Sequence, residues 1–225
     1  NSVGDSGSGG NTIRNNRVEG AASGIIIGSN DTNSVYNNII INAKDDGITT
    51  FQQATGQKIV GNTIIKGSLA CTEGIHVGSN QTDTLVANNF VDPACVTEIS
   101  NAGTNTTLST NIITGTLADL FTDPSTGDYT VKAASALINA GTTLGAPFNL
   151  DFLGVTRPAG AYDVGAYERQ TAAATWEMVV TSVNPTSGAA ITFSVASNDG
   201  DCSGNTPINS PTCTYNDGTA VTLTA

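Results

Sequence analysis

The sequence predicts an all-β fold: a right-handed parallel β-helix of about five coils, followed by a C-terminal cap and a small antiparallel β-module. Three observations support this fold class. A short motif recurs roughly every 22–26 residues, as in solenoid proteins. Each repeat contains two or three short alternating apolar runs separated by Gly, Asn, Asp and Ser, which is typical of strands and turns. No window of the repeats has the period of an amphipathic helix, so helical repeats are excluded.

The repeated motif is clearest in two stretches, "GIIIGSNDTNSVYNN" at 24–38 and "GIHVGSNQTDTLVAN" at 74–88. These stretches are two repeats apart, because a weaker copy lies between them at 47–62. A further copy follows at 98–111. We therefore expect residues 1–117 to form the coils.

An Asn recurs at one place in each repeat, three residues after an apolar residue and two residues before another. Side chains on neighbouring rungs of a β-helix lie about 4.8 Å apart, so each amide can donate to the next. The alternative is that these Asn residues only mark turns. The predicted ladder consists of Asn16, Asn38, Asn62, Asn88 and Asn111.

Residues 118–169 lack the repeat and are predicted to cap the last coil, whose strand edges and apolar core need a cover. The segment contains Asp123-Pro124, Gly127-Asp128-Tyr129, Arg157-Pro158 and "GAYDVGAYE" at 160–168. In these motifs it resembles the C-terminal region of bacterial right-handed parallel β-helix proteins of the choice-of-anchor type, with PbH1-like repeats. The resemblance implies a secreted bacterial protein, and such proteins include glycan lyases, glycoside hydrolases and adhesins.

Beyond a linker at 170–175, residues 176–225 alternate like antiparallel strands and resemble small immunoglobulin-like surface modules. About 50 residues is short for such a sandwich, so the module is either incomplete or folds against the cap. The chain begins with Asn1 and has no long apolar run. We expect a piece of a longer protein without a membrane span, extracellular or on the cell surface, attached through further C-terminal modules.

The four cysteines fit an oxidising compartment. When "LACTEGI" is aligned with "PACVTEI", Cys71 and Cys95 share one slot of consecutive coils, at a rung distance that a disulfide tolerates. Two buried free thiols are the alternative. Cys202 and Cys213 flank a loop rich in Gly, Asn and Pro, and we expect them to pair as well. The sequence has no zinc-type spacing of Cys and His.

The same alignment stacks Asp46 with Glu73, and Thr49 with His76, the one histidine. Carboxylates and a histidine on one patch suit glycan cleavage, which needs a proton donor at the leaving oxygen and a base or nucleophile opposite. The candidate catalytic residues are Asp45, Asp46, Glu73, His76 and Glu98, and the candidate substrate-binding residues are Lys44 and Tyr36.

These residues predict a secreted protein that acts on an extended polysaccharide as a glycoside hydrolase or a lyase. Elimination would need a cation to neutralise a uronate and a base for the α-proton, and Lys44 could serve as one or the other. The alternative is a non-catalytic structural, adhesive or glycan-binding segment of a surface protein, in which the acidic residues only shape turns. A net charge of −11 argues against nucleic acid as a partner. No cofactor is expected, although the many carboxylate and amide oxygens leave calcium open.

Overall fold

A computed structural model describes residues 2–3, 10–28 and 32–169, together with five strands of the remaining chain. The chain divides into two compact units, Asn1–Arg169 and Gln170–Ala225. The first unit is a solenoid of parallel sheets in about four turns, which confirms the predicted parallel β-helix.

Each turn of the solenoid contributes strands to three sheets whose neighbouring strands run parallel. The first sheet consists of β1 (Ser2–Val3), β4 (Ile25–Ile27), β7 (Asp46–Thr50), β11 (Glu73–Val77) and β15 (Thr97–Asn101). The second sheet consists of β2 (Thr12–Arg14), β5 (Ser34–Tyr36), β9 (Lys58–Val60), β13 (Leu85–Ala87) and β16 (Thr107–Ser109). The third sheet consists of β3 (Arg17–Glu19), β6 (Ile39–Ile41), β10 (Thr63–Ile65) and β14 (Phe90–Val91). A two-stranded parallel pair is formed by β8 (Ala54–Thr55) and β12 (Gln81–Thr82).

The solenoid interior is filled by aliphatic side chains that stack from turn to turn. In the first sheet Ile25, Ile48 and Ile75 are register partners, and all three are fully buried. Burial of each such side chain contributes about 1.5–3 kcal/mol. The first sheet approaches the third so closely that a Cβ at Gly47 would lie 2.7 Å from Ile64, so glycine is required there. The repeated Ile residues thus determine how the turns stack, and the repeated Gly residues determine how closely the first and third sheets approach.

An Asn ladder follows the corner between the second and third sheets. The Nδ2 amide of each member donates to Oδ1 of the next at 2.9–3.0 Å. The same Oδ1 accepts the backbone N–H of the preceding member. The members are Asn16, Asn38, Asn62, Asn89 and Asn111. Asn89 and not Asn88 occupies the fourth rung, so the prediction of Asn88 was wrong.

The different role of Asn88 follows from its backbone conformation. The residue before each ladder Asn lies in the left-handed region, with φ between 50° and 59°. These residues are Asn15, Asn37, Gly61, Asn88 and Thr110. Asn tolerates this conformation better than most residues. In the doublet, Asn88 makes the turn and points away from the ladder, where its Nδ2 donates to the carbonyl of Thr142 at 2.8 Å.

Residues 118–169 form a strap, which lies along the side of the coil stack on the third sheet. The strap begins within α1 (Leu117–Leu120) and continues through the antiparallel pair β17 (Phe121–Asp123) and β18 (Asp128–Val131). Its Phe121 and Val164 join Phe90 of the third sheet in a second buried cluster. The rings of Phe121 and Phe90 meet edge to face, with centroids 5.1 Å apart.

Hydrogen bonds from three corner Asn residues tie the strap to three turns of the stack. Asn15 Nδ2 donates to the carbonyl of Phe152 at 2.8 Å, and Asn37 Nδ2 donates to that of Leu150 at 2.6 Å. With Asn88 and Thr142, these contacts span the stack lengthwise.

The strap does not cover the last coil, contrary to the predicted cap. Leu108 is 50% exposed and Ile113 is 38% exposed at that end. The strap lies elsewhere because the third sheet is apolar on its outer side as well: Ile39 and Ile41 belong to the cluster beneath the strap. This outer apolar surface must be buried against another element.

The described strands of the second unit form two small antiparallel sheets. They are β19 (Thr175–Val179), β20 (Ala190–Phe193), β21 (Gly204–Pro207), β22 (Thr212–Asn216) and β23 (Leu223–Thr224). An immunoglobulin-like module stays a prediction. Cys202 and the side chain of Cys213 lie outside the described residues.

Cys71 and Cys95 are joined by a disulfide, which confirms the predicted pair. Both residues are buried in the solenoid interior. The bond cross-links consecutive turns at the corner that precedes β11 and β15.

Replacing Cys71 and Cys95 together by Ala is expected to lower the free energy of unfolding of the first unit by about 3 kcal/mol. The bond closes a loop with a sequence separation of 24 residues, and its removal enlarges the unfolded ensemble accordingly. Guanidinium unfolding followed by tyrosine fluorescence measures this, because the first unit holds four of the five tyrosines. The variant C202A/C213A is the control for loss of cysteines, and an unchanged midpoint in C71A/C95A would contradict the prediction.

Candidate active site

The outer face of the first sheet carries the candidate site. In β11, Glu73 is the register partner of Asp46 in β7 and of Thr97 in β15. Three residues further along β11, His76 lies between Thr49 and Ser100. This is the register predicted from the sequence.

Glu73 and His76 meet although they are three residues apart on one strand. Regular alternation would direct them to opposite faces. The pairing of β11 with both neighbours skips Gly74, and this local irregularity directs Glu73 and His76 to the same outer face. Nδ1 of His76 contacts Oε2 of Glu73 in an ion-pair geometry. The side chains stay 31% and 24% exposed, so the pair is shielded but accessible to a ligand.

Asp46 lies beside this pair. Partial burial raises the pKa of the Asp46 carboxyl, and the nearby carboxylates of Glu73 and Asp45 act in the same direction. A hydrogen bond from Thr49 and the closeness of His76 oppose the rise. Asp46 therefore keeps its proton to a higher pH than an ordinary aspartic acid, as a proton donor requires.

The other candidates lie at the edge of this cluster or outside it. Asp45 and Lys44 are exposed and precede β7. Glu98 instead lines a pocket of about 330 Å³ at the open end of the stack, with Ile99 and Leu108. Its position corresponds to Gly74, where the chain faces the third sheet. Glu98 is therefore not a neighbour of His76 in the way that we predicted.

Tyr36 was also a wrong prediction for substrate binding. It is 3% exposed on the second sheet and packs edge to face against Phe148 of the strap, with ring centroids 5.1 Å apart. The sequence reasoning missed the strap above Tyr36. The hydrogen bond between Thr49 and Asp46 was not predicted either. The alignment of Thr49 with His76 already placed the Thr49 hydroxyl on the same face as Asp46.

The fold and the site define a parallel β-helix protein with a disulfide-linked coil stack and a polar outer face. Residues 2–137 match the model of the NosD family, described as periplasmic copper-binding protein, and the chain belongs to this family. Searches of curated proteins and of solved structures found no match. Among the described residues, no helix is long and apolar enough to cross a membrane. The periplasmic family and the disulfide both fit an extracytoplasmic location.

The described residues do not fit a copper centre. Copper favours imidazole, thiolate and thioether ligands. His76 is the one imidazole of the chain, and Cys71 and Cys95 are consumed by their disulfide. No group of three or more His, Cys, Asp or Glu side chains able to hold a metal occurs in the part of the chain that the structure describes. The remaining soft donors, Met178 and the other two cysteines, have no described side chains.

Proposed function

We propose that this chain is an extracytoplasmic glycan-cleaving β-helix protein that holds an extended polysaccharide across the outer face of the first sheet. The observation that carries the proposal is the contact of Glu73 with His76 beside Asp46, whose pKa is raised. Glycosidic bond hydrolysis uses two carboxyl groups, one protonated and one ionised. Asp46 and Glu73 supply such a pair on adjacent rungs, with Cα atoms about 4.8 Å apart.

Each member of the cluster has a distinct role in this proposal. Asp46 donates its proton to the glycosidic oxygen as the bond to the anomeric carbon breaks. Glu73, on the adjacent rung, attacks the anomeric carbon and forms a glycosyl ester, because neighbouring rungs suit the short carboxyl separation of retaining enzymes. Water, deprotonated by the Asp46 carboxylate, then displaces Glu73 from the sugar. His76 is a positioning residue, because its Nδ1 is shielded from solvent and faces the Glu73 carboxylate. The addition of water across the bond completes the reaction.

The variants D46N, E73Q and H76A are each expected to lose at least about a hundredfold in turnover of the glycan that the protein cleaves. A screen of neutral glycans and polyuronates identifies that glycan, with reducing ends as the readout for hydrolysis and ultraviolet absorbance for elimination. In the wild type, turnover should fall as the pH rises through the pKa of Asp46, because the donor must be protonated.

The matched control is E19Q, which removes an exposed carboxylate on the third sheet and should turn over like the wild type. Circular dichroism of each variant checks that the coils are folded. If D46N, E73Q and H76A all turn over the cleaved glycan at the rate of the wild type, this site is not catalytic.

A cell-surface location is part of the same proposal. It is supported by the resemblance of residues 118–168 to choice-of-anchor β-helix proteins and of residues 176–225 to immunoglobulin-like surface modules. Further C-terminal modules would attach the protein to the cell.

A further inference from the structure

We propose that Phe51 provides a stacking subsite for a glycan without carboxylate groups, next to the Glu73–His76 pair. This inference rests on the proposed function, since it names the substrate class of the same site. It has two independent supports, the setting of the Phe51 ring and the charges of the first sheet.

Phe51 is a large apolar side chain left on the surface of the solenoid, at 52% exposed. Its ring lies over Gly28 of the preceding turn: a Cβ at Gly28 would be 2.9 Å from the ring's Cζ. On the following turn, a Cβ at Gly78 would lie 3.5 Å from the Cα of Phe51. Among the described residues, the glycines on both neighbouring rungs place no side chain of their own against Phe51. Such a flat, rigid aromatic surface suits the apolar face of a sugar ring.

The ring belongs to the same face as the candidate catalytic residues. Phe51 directly follows β7 and is exposed, whereas Thr50 before it is fully buried. Phe51 is therefore on the outer side of the sheet, as is Thr49. Thr49 is the register partner of His76. From the rung spacing and the rise per residue, the Cα atoms of Phe51 and His76 lie about 8 Å apart. An extended glycan can therefore contact the ring and the carboxyl cluster together.

The charges of this face select against a polyuronate. The outer face carries the carboxylates of Asp46 and Glu73, and the five strands of the first sheet contain neither Lys nor Arg. Lys44 is the nearest cation in sequence and lies outside the strands. The whole chain carries a net charge of −11. A chain of uronate carboxylates would be repelled, and the neutralising cations that elimination needs are missing from these strands. Neutral and N-acetylated glycans meet no such barrier, so hydrolysis is the reaction that the face favours.

The experiment measures binding in the E73Q background, so that cleavage does not consume the ligand. The probes are hexamers of glucose, mannose, xylose and N-acetylglucosamine, with hexamers of galacturonate and mannuronate for comparison. At least one uncharged hexamer should bind more tightly than both uronates. The further change F51A should raise its Kd roughly tenfold, and F51W should restore it. L153A, which removes a 68% exposed leucine of the strap, is the matched control and should leave Kd unchanged.

The inference is overturned if no uncharged hexamer binds, if a uronate hexamer binds as tightly, or if F51A binds like its parent. Its failure is distinct from failure of the proposed function. Binding through Phe51 without cleavage by the wild type would remove the hydrolase proposal and keep the subsite. Cleavage that depends on Glu73 but not on Phe51 would keep the hydrolase proposal and remove the subsite.

Discussion

Replacing Arg157 by Ala is expected to lower the free energy of unfolding by about 3–5 kcal/mol, because it leaves a buried carboxylate without its counter-charge. The Arg157 guanidinium is 2% exposed and donates to Oε2 of Glu168 at 2.7 Å. It also donates to the carbonyl of Gly165 at 2.9 Å and to Oδ1 of Asn37 at 3.3 Å. One side chain thus joins two parts of the strap to the coil stack. Urea unfolding measures the loss.

A double variant and the pH dependence separate the charge effect from lost packing. R157A/E168Q should recover part of the stability, because no charge is then left buried. Burial raises the pKa of Glu168 above its ordinary value of 4.5. A carboxyl group whose folded pKa is raised stabilises the fold at low pH, and this contribution is lost as the pH rises through the folded pKa. The deficit of R157A should therefore shrink as the pH falls through the raised pKa of Glu168. If the stability loss of R157A is the same at every pH and is not reduced by E168Q, the ion-pair explanation is wrong.

Replacing Asn62 by Ala is expected to cost about 3–4 kcal/mol, since it interrupts the ladder at its centre. The Asn62 side chain is fully buried. Its Oδ1 accepts both the backbone N–H and the Nδ2 of Asn38. Its own Nδ2 donates to the carbonyl of Val35 and to Oδ1 of Asn89. The substitution removes four hydrogen bonds and leaves the N–H of Asn38 buried without an acceptor. Thermal unfolding by circular dichroism measures the effect.

The matched control is N16A, which makes the same change at the end of the ladder. Asn16 is half-buried, and its Nδ2 bonds lie near solvent. We expect N16A to cost about 1 kcal/mol, because water replaces the lost partners. If N16A and N62A lower the free energy of unfolding equally, the buried hydrogen bonds of the ladder stabilise the fold no more than the exposed ones.

The sequence was sufficient to predict the solenoid because every turn repeats the same short-range pattern of buried Ile, Gly and Asn. It misplaced the fourth ladder residue because Asn88 and Asn89 both follow an apolar residue by three positions. Only the structure shows that Val86 is buried and is the register partner of Ile59, whereas Leu85 is half-buried beside Lys58. In every turn the ladder Asn directly follows the residue in the left-handed conformation. In the fourth turn that residue is Asn88, so the ladder member is Asn89.

The strap could not be placed from the sequence, because its contacts are long-range. Asn15 reaches the backbone of Phe152, 137 residues away, and no local pattern encodes that distance. In the candidate site, stacking from turn to turn was sufficient to bring Asp46, Glu73 and His76 together. Glu98 was predicted in this patch although its rung position is that of Gly74, and the structure places it in the pocket at the open end.

The lengthwise strap limits how this protein can change in size. Solenoids commonly gain or lose whole coils, because each coil contacts only its neighbours. Here hydrogen bonds from Asn15, Asn37 and Asn88 hold the strap in one register with the turns beneath it. A coil inserted between these residues would shift every later corner by about 4.8 Å and put it out of step with the strap. A coil added after Asn111 would leave these three bonds in register, and only the start of the strap at Leu117 would have to span the new coil.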